Sequence, residues 1–155
     1  MSKSQFVYVT FIRTTPERLW TALTDREFIA KYWFGASCES EWTAGSSWAL
    51  KYADGRLADT GEILEAEPPR RLVIKWRNEW NPEFKAEGYA LCTMELEPVA
   101  DVDVPVVKLS ITHTMERADS PFIGAVSGGW PRILSNLKSL IETGEILLKP
   151  AAHAA

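Results

Sequence analysis

The hydrophobic pattern at the start of the chain predicts one strand and two short helices. Residues 5–12 are a continuous aromatic and β-branched run with apolar residues at both parities, so we expect a strand covered on both faces. Residues 15–17 then supply an N-cap threonine, a first-turn proline and a favourable acidic charge, so a short helix is predicted to begin there. A second short helix is predicted over residues 27–32 and ends at Trp33-Phe34-Gly35.

The central part of the chain predicts an antiparallel meander without helices. Turn residues recur at intervals of roughly eight to twelve positions, which is typical of hairpin-connected strands. Asp54-Gly55 is the strongest turn signal and predicts a type I′ hairpin, whereas residues 78–86 are predicted to be a loop. The six predicted strands cover residues 37–42, 47–52, 60–67, 71–77, 88–97 and 106–114.

Alternation along three of these strands assigns large apolar side chains to one shared face. Because successive side chains of a strand point to opposite sides, residues of the same parity face the same layer. The inward-facing positions predicted in this way are Trp48, Leu50, Tyr52, Leu72, Ile74, Trp76, Val107, Leu109, Ile111 and His113.

The pattern changes to a helical period near the end of the chain. Apolar residues over 121–142 recur at spacings of three and four and Gly144 follows, which predicts one amphipathic helix of roughly 22 residues. Pro131 is expected to break or kink this helix. A gap beside the helix is expected because its first half carries the small residues Gly124, Ser127, Gly128 and Gly129.

Together these elements predict an α+β fold. A curved antiparallel sheet of about six to seven strands wraps around the long C-terminal helix, and two short helices follow the first strand. One helix is too narrow to fill the concave face of such a sheet. We therefore expect a cavity between the helix and the sheet with aromatic walls.

Composition and charge narrow the possible functions. The chain has 155 residues, 46% hydrophobic and 25% charged, which predicts one globular domain over residues 1–146 and a disordered tail over 147–155. The net charge of -4 argues against nucleic acid and anionic membranes as partners. No apolar run reaches the ~20 residues of a membrane span and no signal-peptide core follows Met1, so a cytoplasmic location is expected. Monomer and homodimer both remain open.

Several local motifs resemble one known family. They are Trp33-Phe34-Gly35, Gly45-Ser46-Ser47-Trp48, Gly61-Glu62-Ile63-Leu64-Glu65 leading into Pro68-Pro69-Arg70-Arg71-Leu72, and Gly129-Trp130 followed by Leu134, Leu137 and Leu140. With the order of elements, they resemble the homologues of the activator of heat-shock-protein (Hsp90) ATPase. That family belongs to the START-like (SRPBCC, birch-pollen-allergen-like) superfamily, which has the helix-grip fold, and the resemblance covers about residues 5–145.

The resemblance implies a fold more firmly than an activity. Members of the wider superfamily bind apolar molecules in the cavity between helix and sheet, and a few are cyclases or hydrolases. The namesake of the family is a co-chaperone. The resemblance therefore implies a stress-response protein that binds a small apolar or aromatic molecule, with chaperone contact as a further expectation.

Motifs for cofactor or metal chemistry are weak. The glycines form neither a dinucleotide fingerprint nor a phosphate loop, and two histidines and two cysteines cannot supply a zinc cluster, so no cofactor and no metal are expected. His113 is the one titratable side chain predicted on the dry face, where packing is the favoured role and general-base chemistry the alternative. Cys92 could pair with His113 as a nucleophile only if the two side chains face each other.

The function predicted from the sequence is binding of a small hydrophobic or aromatic ligand without catalysis. Two alternatives remain: a cofactor-independent cyclase, dehydratase or hydrolase that uses His113, Tyr52 or a carboxylate in the cavity, and a protein-interaction module in chaperone action. Trp80 is expected to be exposed near an entrance or interface. The predicted ligand-binding residues are Trp33, Phe34, Trp48, Leu50, Tyr52, Trp76, His113, Trp130 and Leu134.

Overall fold

A computed structural model describes residues 3–150 as one seven-stranded antiparallel sheet with four helices. The strand order is β1-β7-β6-β5-β4-β3-β2, so β1 and β2 form the two edges. This is the predicted α+β helix-grip fold, which is thereby confirmed. The strands are β1 (Ser4–Ile12), β2 (Ser37–Ser40), β3 (Ser47–Lys51), β4 (Leu57–Glu67), β5 (Arg71–Asn78), β6 (Ala90–Pro98) and β7 (Val107–Met115), and the helices are α1 (Pro16–Thr24), α2 (Arg26–Tyr32), α3 (Pro82–Ala86) and α4 (Pro121–Thr143).

The two early helices begin at side-chain caps. The Thr15 hydroxyl accepts a hydrogen bond from the Arg18 N–H, and the Asp25 carboxylate accepts one from the Phe28 N–H, each at 3.2 Å. These bonds satisfy amide donors that a helix start leaves unpaired. The phenolic hydroxyl of Tyr32 donates to the Ala22 carbonyl at 2.9 Å, which joins α1 to α2 inside the core.

The sheet is irregular where β3, β4 and β5 meet. Register shifts interrupt the β3–β4 and β4–β5 pairings, and such bulges increase local twist. Gly61 pairs with Trp48 on one side and with Trp76 on the other. A Cβ atom at Gly61 would lie 1.6 Å from the carbonyl oxygen of Lys75, so only glycine permits this backbone approach.

Helix α4 is continuous through Pro131, and the expected break is wrong. Trp130, Ile133 and Leu134 are buried against the sheet on either side of the proline, so tertiary packing outweighs the missing backbone hydrogen bond. The helix begins at Ser120, whose hydroxyl accepts from the Ile123 N–H, and ends at Gly144 in the left-handed region at φ +88°.

Three local expectations also fail. Strand β1 is covered on one face only, because Val7, Val9 and Phe11 point outward at a sheet edge and are about half exposed. The predicted loop 78–86 contains α3, whose first turn is capped by the Asn81 side chain. In the hairpin between β3 and β4, Gly55 has a positive φ but Asp54 does not, so the turn is not type I′.

The chain after α4 folds back on the helix. The buried amide of Asn136 accepts a hydrogen bond from the Leu148 N–H at 2.6 Å, so residues 147–150 lie beside α4. The rest of the predicted tail, residues 151–155, falls outside the described residues. None of the helices described over residues 3–150 is long and apolar enough to cross a membrane.

Candidate functional site

A cavity of about 350 Å³ lies between the inner face of the sheet and α4. Its size is within the range of sites that hold small organic molecules. Strands β3, β4 and β5 form one wall, α4 forms the opposite wall, and α3 and the segment after α2 close the sides. The aromatic side chains that line it are Trp33, Phe34, Tyr52, Trp76, Phe84, Phe122 and Trp130.

Three indole rings from separate elements meet at the centre of this lining. The Trp33 ring lies 5.3 Å from that of Trp130 and 6.2 Å from that of Trp76, and the last two are 5.8 Å apart, measured between centroids. Two of the three contacts are edge-to-face, the geometry that the ring quadrupole favours. Contact among the three rings gives the cavity a preformed aromatic wall.

The backbone after α2 brings aromatic side chains to the cavity at a conformational cost. Phe34 has φ +50° and Gly35 has φ +81°, and a left-handed conformation is unfavourable for a bulky residue such as phenylalanine. Trp33 contacts the other two indoles, while Phe34 remains 45% exposed and lines the cavity near solvent. Phe34 therefore belongs to the rim of the cavity.

A second part of the rim is built around Tyr52. Its ring packs edge-to-face on Trp80 at 5.9 Å, and the Arg56 guanidinium lies 4.2 Å from the Trp80 ring centroid. Asp54 pairs with Arg56, its carboxylate accepting from the guanidinium Nε at 2.6 Å. Trp80 is 52% exposed and does not line the cavity, so it supports the rim from outside.

Asp59 places a carboxylate in the cavity wall. Its side chain is buried and accepts a hydrogen bond from the Asn78 amide at 2.9 Å. The Asn78 amide oxygen in turn accepts from the backbone N–H groups of Trp80 and Asn81, which orients the amide toward Asp59. Among the cavity-lining residues of the described chain, Asp59 is the only one with a formal charge.

Burial raises the pKa of Asp59 to about 6. The Trp76 indole N–H and the Asn78 amide oppose this rise, and the Glu79 carboxylate adds to it. The buried Trp76 N–H has no other hydrogen-bond partner in the described part of the chain, so it can interact with this carboxylate. Asp59 is therefore mostly ionised at neutral pH inside an apolar wall.

His113 lies in the core beside the cavity and does not line it. Its Nδ1 accepts a hydrogen bond from the Trp130 indole N–H at 3.1 Å, and its ring packs against Trp76 and Phe122. Burial lowers the pKa of His113 to about 3, so the ring is neutral and its proton is on Nε2. This arrangement supports a packing and positioning role, since His113 does not line the cavity, although its Nε2 has no hydrogen-bond partner within the described residues.

Cys92 and His113 are register partners on β6 and β7. Burial raises the pKa of the Cys92 thiol well above its usual range, so the thiol stays protonated at physiological pH. Because Nδ1 of His113 is already bonded to Trp130, the pair lacks the base that a cysteine nucleophile needs.

Six of the nine predicted ligand-binding residues line the cavity: Trp33, Phe34, Leu50, Tyr52, Trp76 and Trp130. The other three do not. Trp48 packs against Trp76 with ring centroids 4.3 Å apart, and Leu134 and His113 are fully enclosed in the core. Alternation places Trp48 and His113 on the inner face of the sheet, as predicted, but neither residue lines the cavity.

The sequence reading missed Asp59 and the helix α3. The β3–β4 register shifts between Leu50 and Lys51, so Ala58 and Asp59 are both buried although they are adjacent in sequence. The strand predicted over residues 60–67 left Asp59 outside, whereas β4 begins at Leu57, and the bulge also breaks the alternation of faces there. Of the four small residues noted on α4, Gly129 lines the cavity, whereas Gly124 and Gly128 are exposed.

Hydrogen bonds to Glu87, which follows α3, link α3 to the start of α4. The Glu87 carboxylate accepts hydrogen bonds from the Ser120 hydroxyl and, at 2.9 Å, from the Phe122 N–H. The rings of Phe84 and Phe122 pack edge-to-face at 5.9 Å across the same junction. The two elements therefore form one continuous section of the cavity wall.

Comparison with solved structures gives the same fold. A protein from Mesorhizobium loti, MLL2253, is 22% identical with a TM-score of 0.75, covering 92% of this chain and 100% of that one. The Plasmodium falciparum protein PFC0360w, an HSP90 activator, is 24% identical with a TM-score of 0.69, covering 91% and 96%. The Aha1 dimer from Colwellia psychrerythraea is 17% identical with a TM-score of 0.70, covering 91% and 98%.

Sequence comparison identifies the family. A search of functionally curated proteins found no match. The family model described as "Activator of Hsp90 ATPase homolog 1-like protein" matches residues 13–142, which include every element that lines the cavity. The chain therefore belongs to the family of Activator of Hsp90 ATPase homolog 1-like proteins.

Proposed function

We propose that this protein binds a small apolar or aromatic molecule in the cavity between the sheet and α4. The observation that carries the proposal is the cavity of about 350 Å³ with its preformed aromatic wall. A guest could enter at the rim, where Phe34 and Tyr52 are partly exposed. The six predicted ligand-binding residues that line the cavity, named above, are its proposed contacts.

Burial alone predicts weak binding. A guest that loses about 200 Å² of apolar surface gains about 5 kcal/mol from transfer out of water. Association costs at least about 4 kcal/mol in lost freedom of motion. A polar contact inside the cavity would therefore decide which guests bind usefully, and Asp59 and Asn78 offer such contacts.

Gly129 provides a direct test of cavity binding. A Cβ atom at this position meets no other atom within 4 Å, and the residue lines the cavity, so Gly129→Leu should fill the space without disturbing the core. Helix propensity favours leucine over glycine, so the variant should fold at least as well as the parent chain. Gly128→Leu, on the exposed side of α4, is the matched control.

The measurement is calorimetric titration of small aromatic fragments into the parent chain and both variants. We expect binding to the parent and to Gly128→Leu, and loss of binding in Gly129→Leu. Equal binding to all three proteins would place the fragments elsewhere and contradict the proposal.

Membership of the family favours a second candidate function, contact with an Hsp90 chaperone. A relative with this fold is an HSP90 activator. The Hsp90 ATPase rate with added protein tests this candidate, and Gly129→Leu separates the two functions. A surface contact should be insensitive to filling the cavity, whereas a ligand-dependent effect should be lost.

Catalysis in the same cavity is a third candidate, supported by the buried carboxylate of Asp59. A carboxyl group with a pKa of about 6 can give or take a proton near neutral pH. His113 lacks access to the cavity, so Asp59 and Tyr52 are the residues through which a cyclase, dehydratase or hydrolase would act. Product analysis with Asp59→Asn, after a guest is found, distinguishes turnover from binding.

A further inference from the structure

We infer that the cavity selects guests that carry a cationic amine on an apolar or aromatic body, with the Asp59 carboxylate as the counter-ion. This inference rests on the proposed ligand-binding function and names the chemical class of the guest. It follows from the position of one carboxylate among aromatic side chains and from the absence of a positively charged partner for it among residues 3–150.

Asp59 lacks a cationic partner. Within residues 3–150, no lysine or arginine forms an ion pair with it, and its hydrogen bond comes from the neutral amide of Asn78. Arg77, a basic side chain on the same strand as Asn78, pairs with Glu79 at 2.6 Å. Arg56 at the rim forms an ion pair with Asp54. A buried charge without a counter-charge is costly, and a guest cation would compensate for it.

The groups that face Asp59 add no positive charge. The titratable groups that interact with it electrostatically are Cys38 on β2, Tyr52 after β3 and Glu79 after β5. Burial raises the pKa of the Cys38 thiol and of the Tyr52 phenol, so both are neutral, and Glu79 is paired with Arg77 and Lys85. The positions at which α4 lines the cavity are Phe122, Ala125, Val126, Gly129, Trp130 and Ile133, and none of these side chains titrates. The Asp59 carboxylate therefore carries the only formal charge among the described residues that line the cavity, and the rim cation Arg56 is paired with Asp54.

The remaining wall also favours a cation. Indole and phenyl faces attract an ammonium group through the ring quadrupole, and tryptophan is the strongest of these. Trp33, Trp76 and Trp130 line the same cavity as Asp59. An anionic guest would be repelled by Asp59, and a neutral guest would leave the carboxylate uncompensated. The net charge of -4 acts in the same direction, because it favours approach of cations.

A matched set of three compounds tests the inference. Phenethylamine is protonated at neutral pH, phenethyl alcohol is neutral with almost the same shape, and phenylacetate is an anion of similar size. Calorimetric titration should give amine binding at least about tenfold tighter than alcohol binding, the ratio that about 1.4 kcal/mol of charge-assisted contact provides. Phenylacetate should bind least.

Two variants assign the effect to Asp59. Asp59→Asn keeps an oxygen that can accept from Asn78 and should reduce the preference for the amine to near unity. Asp103→Asn removes an equal charge from an exposed loop that does not line the cavity and should leave the preference unchanged. In the parent protein, amine affinity should also fall between about pH 7.5 and about pH 5 as Asp59 is protonated, while alcohol affinity should not.

The outcomes separate this inference from the proposed function. If the alcohol binds as tightly as the amine, or if the preference survives Asp59→Asn, the cavity still binds ligands but the assignment of a cationic guest is wrong. If none of the three compounds binds, both the inference and the proposed function are contradicted.

Discussion

The indole N–H of Trp130 donates a hydrogen bond to Nδ1 of His113 at 3.1 Å, and both side chains are buried. This bond joins a residue of the cavity wall to one that lies entirely within the core. It satisfies one ring nitrogen of the enclosed histidine, while Nε2 has no hydrogen-bond partner within the described residues, and it fixes the orientation of Trp130.

Trp130→Phe should lower the free energy of unfolding by about 1–3 kcal/mol beyond the loss from reduced volume, because it leaves a buried nitrogen without its donor. Trp33→Phe is the matched control, since the indole N–H of Trp33 makes no hydrogen bond within the described part of the chain. Urea unfolding gives both values. Equal losses in the two variants would show that the bond to His113 contributes nothing.

The buried His113 should make the protein less stable in acid. Its pKa is about 3 when folded, against an ordinary value of 6.5, so below about pH 6.5 the unfolded chain takes up a proton that the folded chain excludes. The contribution of His113 to the free energy of unfolding is complete above about pH 6.5 and is lost as the pH falls toward 3. The difference in free energy of unfolding between the parent chain and His113→Gln should therefore be smaller at acidic pH than at neutral pH. Urea unfolding at several pH values measures this difference. A difference that does not change with pH would contradict the conclusion that the buried His113 ring is neutral.

The contribution of Asp59 to the free energy of unfolding should have the opposite dependence on pH. Its pKa is about 6 when folded, above the ordinary 3.8, so its contribution is favourable at low pH and is lost as the pH rises through 6. Asp59→Asn should therefore raise the free energy of unfolding at neutral pH, by about 3 kcal/mol at most. The gain should vanish below about pH 4. A neutral-pH loss of stability would show that the ionised carboxylate is well compensated in the folded protein.

Gly61→Ala should prevent folding or cost more than about 3 kcal/mol, because the new Cβ atom would collide with the Lys75 backbone. Gly124→Ala is the control. That position is exposed on α4 with no neighbour within 4 Å, so alanine should stabilise the helix by up to about 1 kcal/mol. Soluble yield and urea unfolding distinguish the two, and a stable Gly61→Ala protein would mean that β4 and β5 can separate locally.

Most of the architecture could be predicted because each element has its own periodic signal. Alternation identified Trp76 on the inner face, and the helical period located α4 within a residue or two of its observed bounds. The exception at Pro131 has a clear cause, since a helix buried by long-range packing can tolerate a local defect that its own sequence disfavours.

The cavity could be predicted only in part, because alternation assigns a side chain to a face but not to a depth. Trp48 and His113 share the inner face with Trp76, yet Trp76 lines the cavity and the other two do not. Asp59 was missed for a different reason. The strand predicted over residues 60–67 begins one residue after it, whereas β4 begins at Leu57, and the bulge beside Asp59 also breaks the two-residue period.

The two hydrogen bonds to the Glu87 carboxylate restrict the movement of α3 relative to α4. The carboxylate bonds both the Ser120 hydroxyl and the Phe122 N–H, so α3 cannot swing away from α4 unless two hydrogen bonds to a charged group are broken together. That junction of the cavity wall is held at two points, whereas Phe34 and Tyr52 at the rim are partly exposed. Under the proposed ligand binding, we therefore expect a guest to enter at the rim and not between α3 and α4.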